Sequence, residues 1–378
     1  MVNQHKRATI KDIARQLGIS HMTVSRALTD RPKAPVKPAT RQRVRETALE
    51  LGYCPNLQAR AVVTGRSSTL GLLLFEITDP FIANYAQTTI VEAHRYGYQV
   101  ILELSTSHYS EDLLDDQRVQ VREMISRGVD GLLIQIRGDE PGQVLDEVKG
   151  RVPVVVLGHK LGYPLEGVSS VVLDRAAGTC AATEHLIRLG HHRIGFVGKA
   201  WDAPLPSANK GQGYLRAMQN HGLAPERVAL DDWGPGVLEE SYRAGIQMGR
   251  ASDRPTALVC WSDLVAMGIC RGLQEVGARV PEDVAVVGFN DVQIGAYFTP
   301  PLTTVAQPVE KICRKAMELL IEQLSGKKEV RQVTVQPRLV IRRSCGAGSR
   351  SMDWRVASGF PKSERVADLP LRTALVGH

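Results

Sequence analysis

The sequence predicts a multidomain chain: a small all-α helix-turn-helix domain followed by a larger α/β body with parallel sheets. Three observations carry this. Residues 9–28 read as two short helices around a Gly-Ile-Ser turn. Positive charge is gathered at that end of the chain, and from Thr69 onward short apolar runs alternate with helical stretches.

In the first helix Thr9 is placed to cap, with Asp12 replying three residues on. Ile10, Ile13, Ala14 and Leu17 fall at i, i+3, i+4 and i+7, which buries one face. Gly18 suits a left-handed helix end, and Ser20 can accept amide hydrogen bonds at the start of the second helix. Val24, Ala27 and Leu28 turn that helix's apolar face inward and leave His21, Met22, Ser25 and Arg26 together outside. Such a face is what reading the major groove of DNA needs. A Gly turn between amphipathic helices is common, so charge supplies the discrimination. Residues 1–66 hold 13 Lys or Arg against 4 Asp or Glu, whereas the whole chain has 47 against 40. The basic residues are thus concentrated where phosphates would be met. In a third helix Arg41, Arg43 and Arg45 alternate with Val44, Ala48 and Leu51 before Gly52 stops it.

Residues 55–65 are compatible with a helix of under three turns, which is marginal by itself. Beyond them, apolar runs at 70–75, 99–104, 131–136, 152–157, 171–173, 194–197, 257–260 and 284–289 are too many for one small sheet. Ligands in parallel sheets sit beyond the strands' C-terminal ends, which singles out 76–81, 135–138, 158–160 and Asn290-Asp291.

The 378 residues, 43% of them hydrophobic, allow two to three domains of about 150 residues each. No apolar run of 18 residues occurs and the N-terminus lacks a signal-peptide core, so a cytoplasmic, nucleoid-associated protein without membrane contact is expected. Cys54, Cys180, Cys260, Cys270, Cys313 and Cys345 form no Cys-x-x-Cys pair, which disfavours structural zinc and a disulfide framework. Phosphate-loop, Gly-x-Gly-x-x-Gly, Gly-x-Ser-x-Gly and His-Glu-x-x-His patterns are absent, so no enzyme chemistry, cofactor or metal is expected. A periplasmic-type sugar binder and a cytosolic sugar-converting enzyme remain as competing classes. The basic head argues against the first; turnover assays test the second. Blander roles are expected elsewhere. Asp263, His191 and His192 would cap helices, Asp174 and Asp291 would hold loops, and Lys327-Lys328 would form a solvated turn.

Several ordered motifs then point one way: Thr-Val-Ser-Arg at 23–26, Gly-Tyr-x-Pro-Asn at 52–56, Leu-Gly-His-His-Arg-Ile at 189–194, Val-Pro-Glu-Asp-Val-Ala-Val-Val-Gly-Phe-Asn-Asp at 280–291 and Pro-Pro-Leu-Thr-Thr-Val at 300–305. From Thr9 to Ser344 the chain resembles the lactose and galactose repressor family (LacI/GalR) of bacterial transcription regulators. The resemblance implies a DNA-binding domain at 1–55, a hinge at 56–68, and an effector-binding, dimerising body at 69–344. That body would have two lobes, like periplasmic sugar-binding proteins, joined by three strand crossings. The tail at 345–378 lies outside the resemblance, is rich in small and polar residues, and is expected to be flexible. It shows no leucine heptad, so a homodimer is expected rather than a coiled-coil tetramer.

Carried over residue by residue, the resemblance gives His21, Met22 and Arg26 to bases and Thr9, Ser20, Thr23, Ser25 and Thr40 to phosphates. Asn56, Ala59 and Val62 would meet DNA from the hinge, Val62 standing where a Leu wedge is usual and filling the base step less. The hinge is expected to become helical only on operator DNA. Hydrogen exchange that protects 57–64 equally in the free protein would overturn this, and Val62→Leu should deepen the kink and tighten binding. The effector, a sugar, sugar acid or sugar phosphate, would meet Gln135, His159, Lys210, Ser262, Asn290 and Asp79, between apolar walls of Phe81, Leu173 and Trp233. The alternative for Trp233 is to cover a core edge. Departures matter here: Lys210 stands for a usual Arg, Asn290 for an Asp and Ser262 for an Asn, with Trp261 just before it. Lys lacks the planar fork of Arg, and Asn290 removes a negative charge, which favours an anionic sugar over a neutral one.

Overall fold

Asp12 closes the first turn of the head as its spacing predicts. In the computed structural model α1 (Ile10–Leu17) begins after Thr9, whose backbone N and hydroxyl both donate to the Asp12 carboxylate, at 2.9 and 2.7 Å. The residues described are 8–28, 36–54, 65–75, 77–105, 113–136, 141–160, 165, 167–198, 209–230 and 236–347. Asn56, Ala59, Val62, Trp233, the side chain of His159 and the tail from 348 therefore lie outside them. By contact the chain divides into two units, Met1–Ser67 and Ser68–His378.

Gly18 ends α1 at φ 64°, and the Ile19 N–H returns to the Ala14 carbonyl. Ser20 Oγ accepts from Thr23 N at 3.1 Å to open α2 (His21–Ala27). The third helix, α3 (Pro38–Glu50), starts three residues earlier than its Arg pattern indicates, because Pro38 is already suited to the first turn. Ile13, Ala14, Val24, Ala27, Val44 and Ala48 form the buried centre of this unit. Arg41 adds a hydrogen bond to the Ala27 carbonyl at 3.1 Å, fixing α3 across the end of α2.

In the second unit two six-stranded sheets run β11-β5-β4-β3-β1-β2 and β12-β10-β9-β8-β6-β7. The first contains β1 (Thr69–Leu74), β2 (Gln99–Leu104), β3 (Gly131–Ile134), β4 (Val154–Lys160), β5 (Ser169–Leu173) and β11 (Gln332–Val335). The second contains β6 (Ile194–Val197), β7 (Glu226–Val228), β8 (Ala257–Cys260), β9 (Ala285–Asn290), β10 (Thr303–Ala306) and β12 (Arg338–Val340). Every pairing is parallel except β10 with β12. All eight apolar runs became strands. The four strands they do not reveal are short: β7, β11 and β12 are edge strands with partly exposed residues, and β10 is Thr-rich though buried.

Helices cover both faces of each sheet. On the first, α4 (Pro80–Arg95) and α11 (Val309–Leu324) enclose Leu70, Leu72 and Leu74, while α5 (Leu113–Ser126) and α6 (Pro141–Asp146) cover Leu73, Leu132 and Ile134. The alternation of Leu72 and Leu73 between two cores follows from the two-residue period of a strand. On the second sheet α9 (Val237–Arg250) and α10 (Asp263–Glu275) oppose α7 (Arg175–Arg188) and α8 (Asn209–Asn220). The chain crosses between sheets three times, after Leu173, after Ala306 and between Val335 and Arg338. A Cβ on Gly178 of α7 would lie 2.8 Å from Val305 and 2.9 Å from Pro337, so the crossings are bundled side by side. The body also continues past Ser344. Cys345 is wholly buried, with its Sγ 3.4 Å from His185 Nε2, so packing rather than composition sets this boundary.

Candidate nucleic-acid interface and interlobe cleft

On α2 the alternation of buried and exposed residues separates packing from recognition. Val24 and Ala27 are completely buried, whereas His21, Met22, Ser25 and Arg26 are exposed, Met22 by 53%. Ser20 and Thr23 share a 2.9 Å hydroxyl contact at the helix start, and Thr9 is exposed at the start of α1. Helix N-termini with hydroxyls nearby suit phosphate oxygens. Thr40 is half-buried in the first turn of α3.

In the body, the polar candidates gather at the C-terminal ends of the two sheets. Gln135 follows β3 and is buried; its backbone N is bonded to Leu73 O, while its Oε1 has no hydrogen-bond partner. Asn290 ends β9 at φ 123° and Asp291 follows at φ 57°, two left-handed residues in succession. Such a turn is strained, at a cost of order 1–3 kcal/mol per residue, and side chains must hold it. Gln307 Nε2 donates to Asn290 Oδ1 at 2.7 Å, and Arg342 Nη2 donates to Asp291 Oδ1 at 2.7 Å.

Asp263 anchors the same turn from below. Its Oδ2 accepts from the Val292 backbone N at 2.7 Å and its Oδ1 from the Thr304 hydroxyl at 2.5 Å. Burial pushes its carboxyl up to about 6, against the pull of these two hydrogen bonds. Asp263 is therefore not the cap expected from sequence. Ser262 takes that role, accepting from Val265 N at 3.3 Å, because its extended backbone places the hydroxyl over the helix end.

Lys210, near the start of α8, is buried. Its Nζ donates to the Trp261 carbonyl at 2.6 Å and lies 3.8 Å from the Phe289 ring centroid and 4.8 Å from that of Trp261. Asp79 caps α4 by accepting from Phe81 N at 2.8 Å. Phe81 packs edge-on against Tyr85 with centroids 5.1 Å apart. Leu173 is completely buried among the first sheet's core residues, so it offers no wall to a ligand in this form. Asp174, expected to hold a loop, caps α7 instead, accepting from Ala177 N at 2.9 Å. His191 uses Nδ1 on the Thr256 hydroxyl at 3.0 Å, tying its turn to the start of β8 instead of capping a helix. Lys327 and Lys328 border a surface hollow of about 630 Å³ with Lys149 and Val152, on the outer side of the first sheet.

Residues 9–56 match "Bacterial regulatory proteins, lacI family", and residues 183–345 match "Periplasmic binding protein-like domain". The transcriptional repressor PurR of Photobacterium profundum is 32% identical over 341 residues, 89% of this chain and 98% of the relative. The chain belongs to the lacI family. Another lacI-family relative, the transcriptional repressor CytR of Escherichia coli K12, is 31% identical over 93% of this chain and 95% of its own length. Among solved structures, the regulator CelR in complex with cellobiose superimposes with a TM-score of 0.62 at 30% identity, covering 89% of this chain and all of that one. The Lac repressor dimer bound to operator and an anti-inducer gives a TM-score of 0.78 at 23% identity over 90% of this chain, a likeness of fold.

Within this lacI-family frame, sequence reasoning overlooked Gln307 and Arg342, which hold the turn at Asn290 and Asp291, and Arg175, which reaches from α7 to the Gly158 carbonyl of the first sheet. Gln307 carried a signal in its place directly after Thr-Thr-Val-Ala and before Pro308, at the end of a strand. Arg342 and Arg175 carried none, since their partners are distant in sequence.

Proposed function

We propose that this protein is a sequence-specific transcriptional repressor that binds operator DNA as a homodimer and is controlled by a small sugar-like effector held between its lobes. The observation that carries this reading is the exposed face of His21, Met22, Ser25 and Arg26 over the buried Val24 and Ala27, on a head rich in Lys and Arg. Two full-length relatives are themselves repressors, and lacI-family members are regulators rather than enzymes. The protein acts where the chromosome is, in the cytoplasm. Among the described residues no helix is long and apolar enough to cross a membrane.

In this reading His21, Met22 and Arg26 contact bases, with Arg26 on a guanine, while Thr9, Ser20, Thr23, Ser25 and Thr40 position phosphates. Asn56, Ala59 and Val62 belong to a hinge at 56–68 between the head and the body. Gln135, Lys210, Ser262 and Asn290 line the effector cleft with Asp79, Phe81, His159 and Trp233. Amides, hydroxyls and a lysine suit a polyhydroxy ligand. Lys210, together with Asn290 in place of a carboxylate, favours a ligand with negative charge.

Arg26→Ala is expected to weaken the operator by about 1–3 kcal/mol and to relax preference at one base pair in each half-site. Binding titrations on the operator and on random DNA at matched salt check this. Equal weakening on both DNAs removes the base-reading role. Loss of retention on heparin with rising salt tests DNA binding itself, which a sugar-binding protein without a DNA role would not show.

A further inference from the structure

Three enclosed polar atoms remain unsatisfied where the lobes are joined. Arg175, the first residue of α7, donates through Nη2 to the Gly158 carbonyl at 2.8 Å, whereas its Nη1 is buried without a hydrogen-bond partner. Gln135 Oε1 and Gln307 Oε1 are in the same condition. Gln307 is already oriented by its bond to Asn290, so its unpaired oxygen has a fixed direction.

The elements that carry them are neighbours. Gly158 lies on β4 beside β3, the strand that Gln135 follows, and Arg175 stands at the first crossing. Gln307 stands at the second, bundled against the first through Gly178. A Cβ on Gly213 of α8 would be 2.1 Å from the Ala176 carbonyl, which seats α8, one turn beyond Lys210, against the residue after Arg175.

An enclosed cation with an unfilled donor is costly, and native structures keep few such atoms without a reason. Among the described residues no carboxylate forms an ion pair with Arg175. Burial pushes its guanidinium below the ordinary value, with the Tyr85 hydroxyl acting against this. Lys210, by contrast, already rests on a carbonyl and two aromatic faces. Gln117 Oε1 and Gln120 Oε1 of α5, and Arg331 Nε, which lies 3.8 Å from Glu329 Oε2, are the other buried side-chain atoms without a hydrogen bond among the described residues.

We propose that Arg175 selects charge in the effector cleft: its Nη1 takes an anionic oxygen, of a carboxylate or a phosphate, from a sugar derivative whose hydroxyls donate to Gln135 Oε1 and Gln307 Oε1. The assignment rests on the reading of the cleft as the effector site. Because Arg175 belongs to a helix on the second lobe and already holds a carbonyl of the first, the anion would bind at the joint that lobe closure moves.

Calorimetry on the full chain tests this with gluconate and galacturonate as carboxylates, glucose 6-phosphate and ribose 5-phosphate as phosphates, and glucose, galactose and ribose as neutral counterparts. The expected result is that the wild type prefers an anionic probe to its neutral counterpart. Arg175→Gln should then weaken that probe about 10- to 100-fold while leaving the neutral sugar unchanged. The carboxylate and phosphate arms identify the anion. Lys210→Met should weaken the anionic probe less than Arg175→Gln does. Arg175→Lys, which keeps the charge without Nη1, should lose several-fold for the anion only, and serves if Arg175→Gln does not fold. Asn290→Ala separates the two readings. If it abolishes binding while both Arg175 variants leave the anion's affinity intact, the Arg175 assignment is overturned and the cleft stands. If neither position matters, or no probe binds the wild type, both are overturned. A preference for neutral sugars in the wild type overturns charge selection.

Discussion

Asp263→Asn is expected to erase a pH dependence of stability worth about 3 kcal/mol between pH 4 and pH 7. The carboxyl moves from 3.8 to about 6 in the folded protein because it is buried, and every tenfold change in acidity is worth about 1.4 kcal/mol. The change is upward, so the folded state holds a proton that the unfolded chain has already released between these values. The contribution of Asp263 is thus fully present below pH 4, is lost as pH rises through 6, and is flat above. Asparagine can keep both contacts, its oxygen accepting from Val292 N and its amide donating to the Thr304 hydroxyl after that hydroxyl rotates. Urea denaturation of both proteins from pH 4 to 7 isolates the effect, since Glu147 and Asp283, both held at about 2 by arginine partners, are common to the two. Parallel stability profiles would show that Asp263 does not titrate in this range. The same carboxylate supports the strained turn at Asn290 and Asp291, which belongs to the effector cleft in the function we propose.

Gly272→Ala is expected to destabilise the second lobe by about 3 kcal/mol or more. Helices α9 and α10 approach so closely that a Cβ on Gly272 would fall 2.1 Å from the Tyr242 carbonyl oxygen and 2.8 Å from Ile246 N. Both obstacles are backbone atoms, so no side-chain rotation relieves them, and the helices must separate along a seam that also includes Gly245 and Gly268. Gly142→Ala is the control. Its Cβ would meet nothing within 4 Å in α6, and the helix preference of alanine should make that change neutral or slightly stabilising. A Gly272→Ala protein with the wild-type urea midpoint would mean that the seam is looser than its backbone spacing.

By itself the sequence determined the parts whose physics is local. Thr9 with Asp12, Gly18, Ser20 and the spacing of Ile13, Val24, Ala27 and Val44 define the head, because capping, left-handed turns and helical periodicity act within a few residues. The eight apolar runs likewise became strands, since strands covered on both faces need continuous hydrophobic stretches. What only the tertiary structure decided is where polar groups go once distant segments meet. Asp263 looked like a helix cap, yet it binds Val292 and Thr304 from neighbouring loops and strands while Ser262 caps. Leu173 matched a cleft wall and lies in the core, and Cys345 sat beyond the apparent boundary and is packed against His185. Arg175 and Gln307 acquire meaning only where the chain crossings lie side by side, and Arg342 only where the segment after β12 meets Asp291. Their partners are separated by 17, 17 and 51 residues, a range over which pattern and propensity carry no information and only packing sets the contact.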